Sequence, residues 1–188
     1  MQIPKVLLVN DDAASLFALE SLLVGAMREH EYEVITAASG SEALRQVLTH
    51  EFAVILLDVN MPGMDGLETA ELIRTRKRFR HTPILFLTGY RNDDHLFRGY
   101  DLGAVDFLFK PIVPEILRSK VTVFVELARN SKLLQRQAET LARAEQRFRL
   151  LLEAAPDAML ISREDGIVTL VNSRTEELFG WPRELLLG

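Results

Sequence analysis

A chain of 188 residues, 48% hydrophobic and 26% charged, can bury one full core and leave a remainder, since domains usually run about 100–150 residues. It has no cysteine and only four scattered histidines, which excludes a disulfide framework, thiolate metal sites and His-based ligand motifs, so any metal must sit on oxygen. Its net charge of −5 argues against a general nucleic-acid surface, and neither a signal-peptide opening nor an apolar run near the ~18 residues of a bilayer span occurs, so a cytoplasmic segment without nucleic-acid or membrane partners is expected.

In chain order, short β-rich runs alternate with helical patterns. KVLLV precedes a helix over Ala14 to Arg28, YEVITA one over Gly40 to Thr49, and AVILL one over Leu67 to Arg76. PILFL precedes a helix over Asn92 to Leu102, and DFLF precedes the pattern from Val113 onward. Strand-then-helix repeats of this kind predict an α/β fold with a doubly wound, five-stranded parallel sheet and helices on both faces. The basic run RTRKRFRH, Arg74 to His81, reads as a solvated helix end and loop.

Past Pro114 one long helical stretch runs to Ala155 with neither glycine nor proline inside it. Phe124, Leu127, Leu134, Ala138, Leu141, Phe148 and Leu152 fall on spacings of three and four, with Ser131 and Glu145 as the polar members. That is a coiled-coil seam with two weak points, and it predicts a parallel homodimer. Pro156 ends the helix. AMLISR and IVTLVN then read as two strands joined through EDG, followed by a helix SRTEELFG that Asn172 can cap. Two strands and a helix do not make a stable sheet domain unaided, so this tail reads as part of one.

The stretch AVILLDVNMPGMDG drives a buried strand straight into an acid, Asp58. In doubly wound sheets the ligand crevice lies outside the carboxyl ends of the strands, so the residues at each strand exit matter most. These are Asn10, Asp11 and Asp12 after the first strand, Asp58 after the third, Thr88 and Gly89 after the fourth, and Lys110 and Pro111 after the fifth. Two acids on neighbouring strand ends make a hard-oxygen site suited to Mg²⁺, which takes only one or two carboxylates from protein. Such a set fits phosphoryl transfer to a carboxylate, with Asp58 attacking in line while metal and the Lys110 ammonium neutralise the transferring oxygens. Thr88 can donate its hydroxyl to the product, and Gly89 leaves room for the phosphoryl group.

VNDDAASLFALESLL, LLDVNMPGMDG, FLTGY and GAVDFLFKPI resemble, in order and spacing, the acidic loop, phosphoacceptor loop, hydroxyl position and Lys-Pro loop of response-regulator receiver domains. The resemblance runs from about Lys5 to Leu127 and implies a flavodoxin-like sheet of order 2-1-3-4-5. It implies that Asp58 is the phosphoacceptor and that Asp11, Asp58 and the Asn60 backbone carbonyl ligate Mg²⁺, with Asn10 and Asp12 in the outer shell. It further implies that Thr88 and Lys110 contact the phosphoryl group, that the Lys110-Pro111 peptide is cis, and that Thr88 and Phe107 form the switch. The donor implied is a phospho-histidine protein, either a histidine kinase or a phosphotransfer protein. Two positions depart from the family pattern. Asn10 stands where the family usually has an acid, and Phe107 where it often has a tyrosine.

The tail FRLLLEAAPDAMLISREDGIVTLVNSRTEELFGWPRELLLG resembles the opening of a PAS sensory domain. The organisation expected is a receiver over 1–127, a signalling helix over 113–155 that overlaps the receiver's last helix, and the amino-terminal part of an α+β PAS domain over 156–188. By this reading the segment catalyses only its own phosphotransfer and dephosphorylation, and transmits the change through a dimeric helix to a PAS-containing output such as a sensor histidine kinase. The competing reading, motivated by Asn10 and Phe107, is a pseudo-receiver that dimerises or docks without phosphorylation. An independent enzyme is disfavoured: an Asp-nucleophile phosphatase wants an acid where Asn60 stands, and a nucleotide-binding enzyme wants a glycine-rich loop where NDDAAS has no glycine.

Overall fold

The structure is a computed structural model that describes residues 3–24, 32–89 and 106–188. Strands β1 (Lys5–Val9), β2 (Glu33–Ala37), β3 (Val54–Asp58), β4 (Ile84–Thr88) and β5 (Asp106–Phe109) form one sheet in the order β2-β1-β3-β4-β5, every pair parallel. This is the flavodoxin-like order expected. Helices α1 (Ala13–Val24), α2 (Gly40–Thr49) and α3 (Gly66–Arg74) follow the first three strands, and the long α4 (Pro114–Glu153) follows β5. The helix expected over Asn92 to Leu102 lies outside the described residues.

All five residues of β3 and of β4 are buried, as near-continuous apolar strands covered on both faces must be. Alternate residues divide between the faces. Leu7, Val9, Ile55, Leu57, Ile84 and Phe86 pack with Ala43 and Val47 of α2 and Leu67, Ala70 and Ile73 of α3. Val6, Leu8, Val54, Leu56, Leu85 and Leu87 pack with Leu19 and Leu23 of α1 and Leu117, Val121 and Val125 of α4. The sheet is thus doubly wound, and its two covered faces hold all five strand exits along one edge.

The chain divides into two compact units, Met1–Ser131 and Lys132–Gly188. Among the described residues no helix is long and apolar enough to cross a membrane. Along α4 the expected seam residues differ in their surroundings. Phe124 packs partly against the sheet-side core, whereas Leu127, Leu134, Leu141 and Phe148 are exposed, as are Ala138, Ser131 and Glu145. Leu152 is buried within the second unit, so it belongs to that unit's packing and not to a solvent-facing stripe.

The second unit holds an antiparallel pair, β6 (Leu160–Ser162) and β7 (Val168–Val171), followed by α5 (Ser173–Phe179) and a one-turn α6 (Arg183–Leu186). Asn172 caps α5 as expected, accepting from Thr175 N, and it does more than cap. Fully buried, it donates from Nδ2 to the carbonyls of Leu152 (3.1 Å) and Asp157 (2.9 Å) and accepts on Oδ1 from Met159 N (2.9 Å) and the Thr175 hydroxyl (2.8 Å). One amide therefore ties the end of α4, the start of β6 and the start of α5. Arg183 adds ion pairs to Glu153 and Glu176.

Asn172→Ala leaves buried donors and acceptors without partners, each worth ~1–3 kcal/mol, and a small unit tolerates little of that. The expected result is amide exchange at Met159 and Thr175 faster by a factor of ten or more, with exchange in the sheet unchanged. Unchanged protection at both amides would show that the network is dispensable.

Candidate functional site

Backbone hydrogen bonds carry the ladder past the ends of the strands and fix the exit residues. Asn10 N donates to Ala37 O (3.1 Å), Val59 N to Leu87 O (3.0 Å) and Lys110 N to Thr88 O (2.8 Å). Asp58 is the last residue of β3 and Thr88 the last of β4, one position later in each case than the apolar runs alone mark. Both side chains are buried, Asp58 to 2% exposure. A carboxylate taken this far out of water needs charged or hydrogen-bonding partners, and it has them.

Lys110 Nζ lies 2.5 Å from Asp58 Oδ2, although 52 residues separate the two. Asn10 Nδ2 donates to the same oxygen at 2.9 Å, and the backbone amide of Asn60 donates to Oδ1 at 3.2 Å. Asp58 is thus surrounded by a cation and two neutral donors. The Lys110-Pro111 peptide is cis.

Asp11 and Asp12 are exposed in the loop between β1 and α1. Asp12 accepts on Oδ2 from the amide (3.0 Å) and hydroxyl (2.6 Å) of Ser15. It works as a cap for the start of α1, and its carboxyl is held below the usual carboxylate range, first by the Ser15 hydroxyl. Asp12 reaches the site through its backbone, whose N–H donates to Asn10 Oδ1 at 2.9 Å.

Phe107 is also inside: 7% exposed, it stacks on Phe86 with ring centroids 5.5 Å apart. A phenyl ring has no polar tip to keep in water, which suits it to this buried position.

Two contributions were not anticipated from sequence. Gly66 opens α3 directly against the back of Asp58: a Cβ there would lie 2.1 Å from the Asp58 carbonyl oxygen. Behind it, Asp65 and Glu68 form a reciprocal capping box that fixes where α3 begins. The pattern Asp-Gly before an apolar-periodic segment signals a cap but not a close approach to another element. Gly66→Ala forces backbone apart at the strand exit, an overpacking cost of about 1–3 kcal/mol. Urea unfolding should show that loss. Wild-type stability would mean that the α3 start yields without strain. The other unanticipated contribution is Arg74, whose Nη1 donates to the carbonyls of Phe79, Arg80 and Thr82 and so closes the basic loop at the opposite edge of the sheet. Arg76, Lys77, Arg78 and His81 are exposed, in keeping with a solvated run.

The donor set fits a hard divalent cation. The carboxylates of Asp11 and Asp58 and the carbonyl of Asn60 offer oxygen donors on adjoining strand exits, and Mg²⁺ requires no more than one or two carboxylates with water completing its shell. Among the described residues no cluster of three or more His, Asp or Glu is found, so no denser metal site competes with this one.

The response regulator receiver domain model matches residues 6–122, and the PAS fold model matches residues 146–188. The response regulator protein FleR of Pseudomonas aeruginosa is 44% identical over 109 residues, 57% of this chain and 21% of that protein. The transcriptional regulatory protein SrrA of Staphylococcus aureus is 30% identical over 176 residues, 93% of this chain and 68% of its own length. A probable cyclic di-GMP phosphodiesterase of Vibrio cholerae is 34% identical over 110 residues, 58% of this chain and 25% of that protein. The chain therefore spans only about a fifth to a quarter of FleR and of the phosphodiesterase. Among solved structures, the chemotaxis protein CheY4 of Vibrio cholerae is 36% identical with a TM-score of 0.60, over 65% of this chain and 99% of that one.

Proposed function

Because this chain belongs to the response regulator receiver domain family, we propose that it accepts a phosphoryl group on Asp58 from a phospho-histidine donor protein and passes the resulting change along α4 to a PAS-containing output. The observation that carries this reading is the buried Asp58 carboxylate at the exit of β3 with Lys110 Nζ 2.5 Å away. In the step, an oxygen of Asp58 forms a bond to phosphorus while the bond from phosphorus to the donor imidazole nitrogen breaks. The electron pair remains on that nitrogen. An acyl phosphate results, and the Lys110 ammonium and Thr88 hydroxyl are at the same edge of the sheet to meet its oxygens. Asp11, Asp58 and the Asn60 carbonyl would hold Mg²⁺, which when bound supplies positive charge opposite the transferring oxygens.

The organisation follows from the same reading: a receiver over 1–127, a signalling helix over 113–155 and a PAS segment beginning near 156, in a cytoplasmic protein that is a sensor histidine kinase or another signalling protein at full length. The exposed stripe of Leu127, Leu134, Ala138, Leu141 and Phe148 along α4 supports a parallel dimer. Thr88 and Phe107, both buried beside the strand exits, are then the switch elements. One observation favours the alternative of a docking module that is never phosphorylated: Asn10, an amide, occupies Asp58 Oδ2. The experiment that separates them is incubation with acetyl phosphate, with Mg²⁺ or with EDTA, read by intact mass. Uptake of one phosphoryl group only with Mg²⁺ supports the receiver, and no uptake under either condition leaves the docking module.

A further inference from the structure

Asn10 is completely buried and makes two side-chain hydrogen bonds that leave it one orientation. The backbone N–H of Asp12 can only donate, so the atom it meets at 2.9 Å must be Oδ1. An ionised carboxylate can only accept, so the atom facing Asp58 Oδ2 at 2.9 Å must be Nδ2. A flipped amide would set N–H against N–H and oxygen against oxygen. The loop that turns Asn10 is itself fixed, because Asp12 caps α1 through Ser15.

From this geometry we infer that Asn10 is a positioning residue for the phosphoacceptor: together with Lys110 it clamps Oδ2 of Asp58, leaves Oδ1 as the attacking oxygen, and does so without a metal ion. This rests on the phosphoacceptor reading above. Oδ2 receives Asn10 Nδ2 at 2.9 Å and Lys110 Nζ at 2.5 Å, while Oδ1 receives one amide at 3.2 Å. The less engaged oxygen is the better nucleophile. When Oδ1 forms its bond to phosphorus, the bond from phosphorus to the leaving group breaks and the leaving group keeps the pair. Oδ2 becomes the carbonyl oxygen of the acyl phosphate. A carbonyl still accepts from Asn10, so this bond persists through the step while the Lys110 ammonium is released toward the new phosphoryl oxygens. A carboxylate at position 10 would do the reverse: it would repel Asp58 when metal is absent and depend on a cation to bring the two together.

Three measurements on Asn10 variants of the whole chain test this. Asn10→Asp should bind Mg²⁺ by calorimetry about tenfold more tightly than wild type, and its metal-free melting temperature should drop and recover on adding Mg²⁺, whereas the wild-type melting temperature should move less. Asn10→Leu, similar in shape though larger and without a donor, should bind Mg²⁺ within threefold of wild type yet take up phosphoryl groups from acetyl phosphate at saturating Mg²⁺ at least tenfold more slowly. If Asn10→Leu does not fold, Asn10→Ala should show the same split. The inference is overturned if the Leu or Ala variant keeps the wild-type rate, if its slowness disappears with excess Mg²⁺, or if Asn10→Asp melts as wild type without metal. A wild-type chain that takes up no phosphoryl group at all refutes the phosphoacceptor reading instead, while the calorimetric and melting measurements still decide whether Asn10 holds Asp58.

Discussion

Asp58→Asn should abolish the proposed phosphoryl uptake. The substitution conserves shape at a 2% exposed position but replaces the carboxylate with a neutral amide, which could not form the proposed acyl phosphate. The fold should survive, since the amide oxygen can still accept from Lys110 and a neutral group is easier to bury than a carboxylate. Intact-mass measurement after incubation with acetyl phosphate and Mg²⁺ should show one phosphoryl group on wild type and none on the variant. Asp11→Ala should suppress uptake too, by removing a carboxylate from the hard-oxygen set, but excess Mg²⁺ should recover part of it, a recovery Asp58→Asn cannot show. Equal labelling of wild type and Asp58→Asn would mean that another residue is the acceptor.

The double variant Leu134→Asp, Leu141→Asp should dissociate the dimer proposed for α4. In the single chain these leucines are 65% and 71% exposed on one face of α4, and nothing in their own unit covers them. Burying such side chains against a second copy contributes about 25 cal/mol per Å² of apolar area, spread over successive heptads. Two carboxylates in the seam would be buried unpaired and opposed to their symmetry mates, a loss of at least ~3 kcal/mol, or over a hundredfold in affinity. Light scattering across a concentration series should report a dimer for wild type and a monomer for the variant at micromolar concentration. In the proposed seam the polar members are Ser131 and Glu145, the latter paired along its own helix with Arg149 at 2.8 Å, so a signal that loosened the coil would have two points of entry. A monomeric wild type, or a variant that dimerises as well as wild type, removes the coil from the output route.

What could be read in the sequence follows how local the physics is. The all-buried β3 and β4 were legible because continuous apolar runs have few other uses, and right-handed crossovers then order the sheet. Asp58, Thr88 and Lys110 were legible because strand exits in such sheets face one crevice. Asn10's bond to Asp58 spans 48 residues and has no periodic signature. The Asp12 cap was readable in principle from Asp12 and Ser15 three residues apart, but an acid beside a presumed metal site invites the other interpretation. Gly66 was invisible as a site residue because only the assembled fold brings α3 against the Asp58 carbonyl. Asn172 announced one of its roles, the helix cap, while its bonds to Leu152 and Asp157 lie 20 and 15 residues away and required the fold. Phe107 was placed correctly on β5, but its stacking on Phe86 depends on the register between β4 and β5.

The account turns on where the phosphoryl group lands. After reaction of the wild-type chain with a phospho-histidine phosphotransfer protein and Mg²⁺, the acyl phosphate can be trapped by hydride reduction to an alcohol and located by peptide mass spectrometry. The account predicts a single modified residue, Asp58, within the peptide that carries VILLDVNMPGMDG. Modification at Asp11 or Asp12, or on no residue while the donor is consumed, would contradict it.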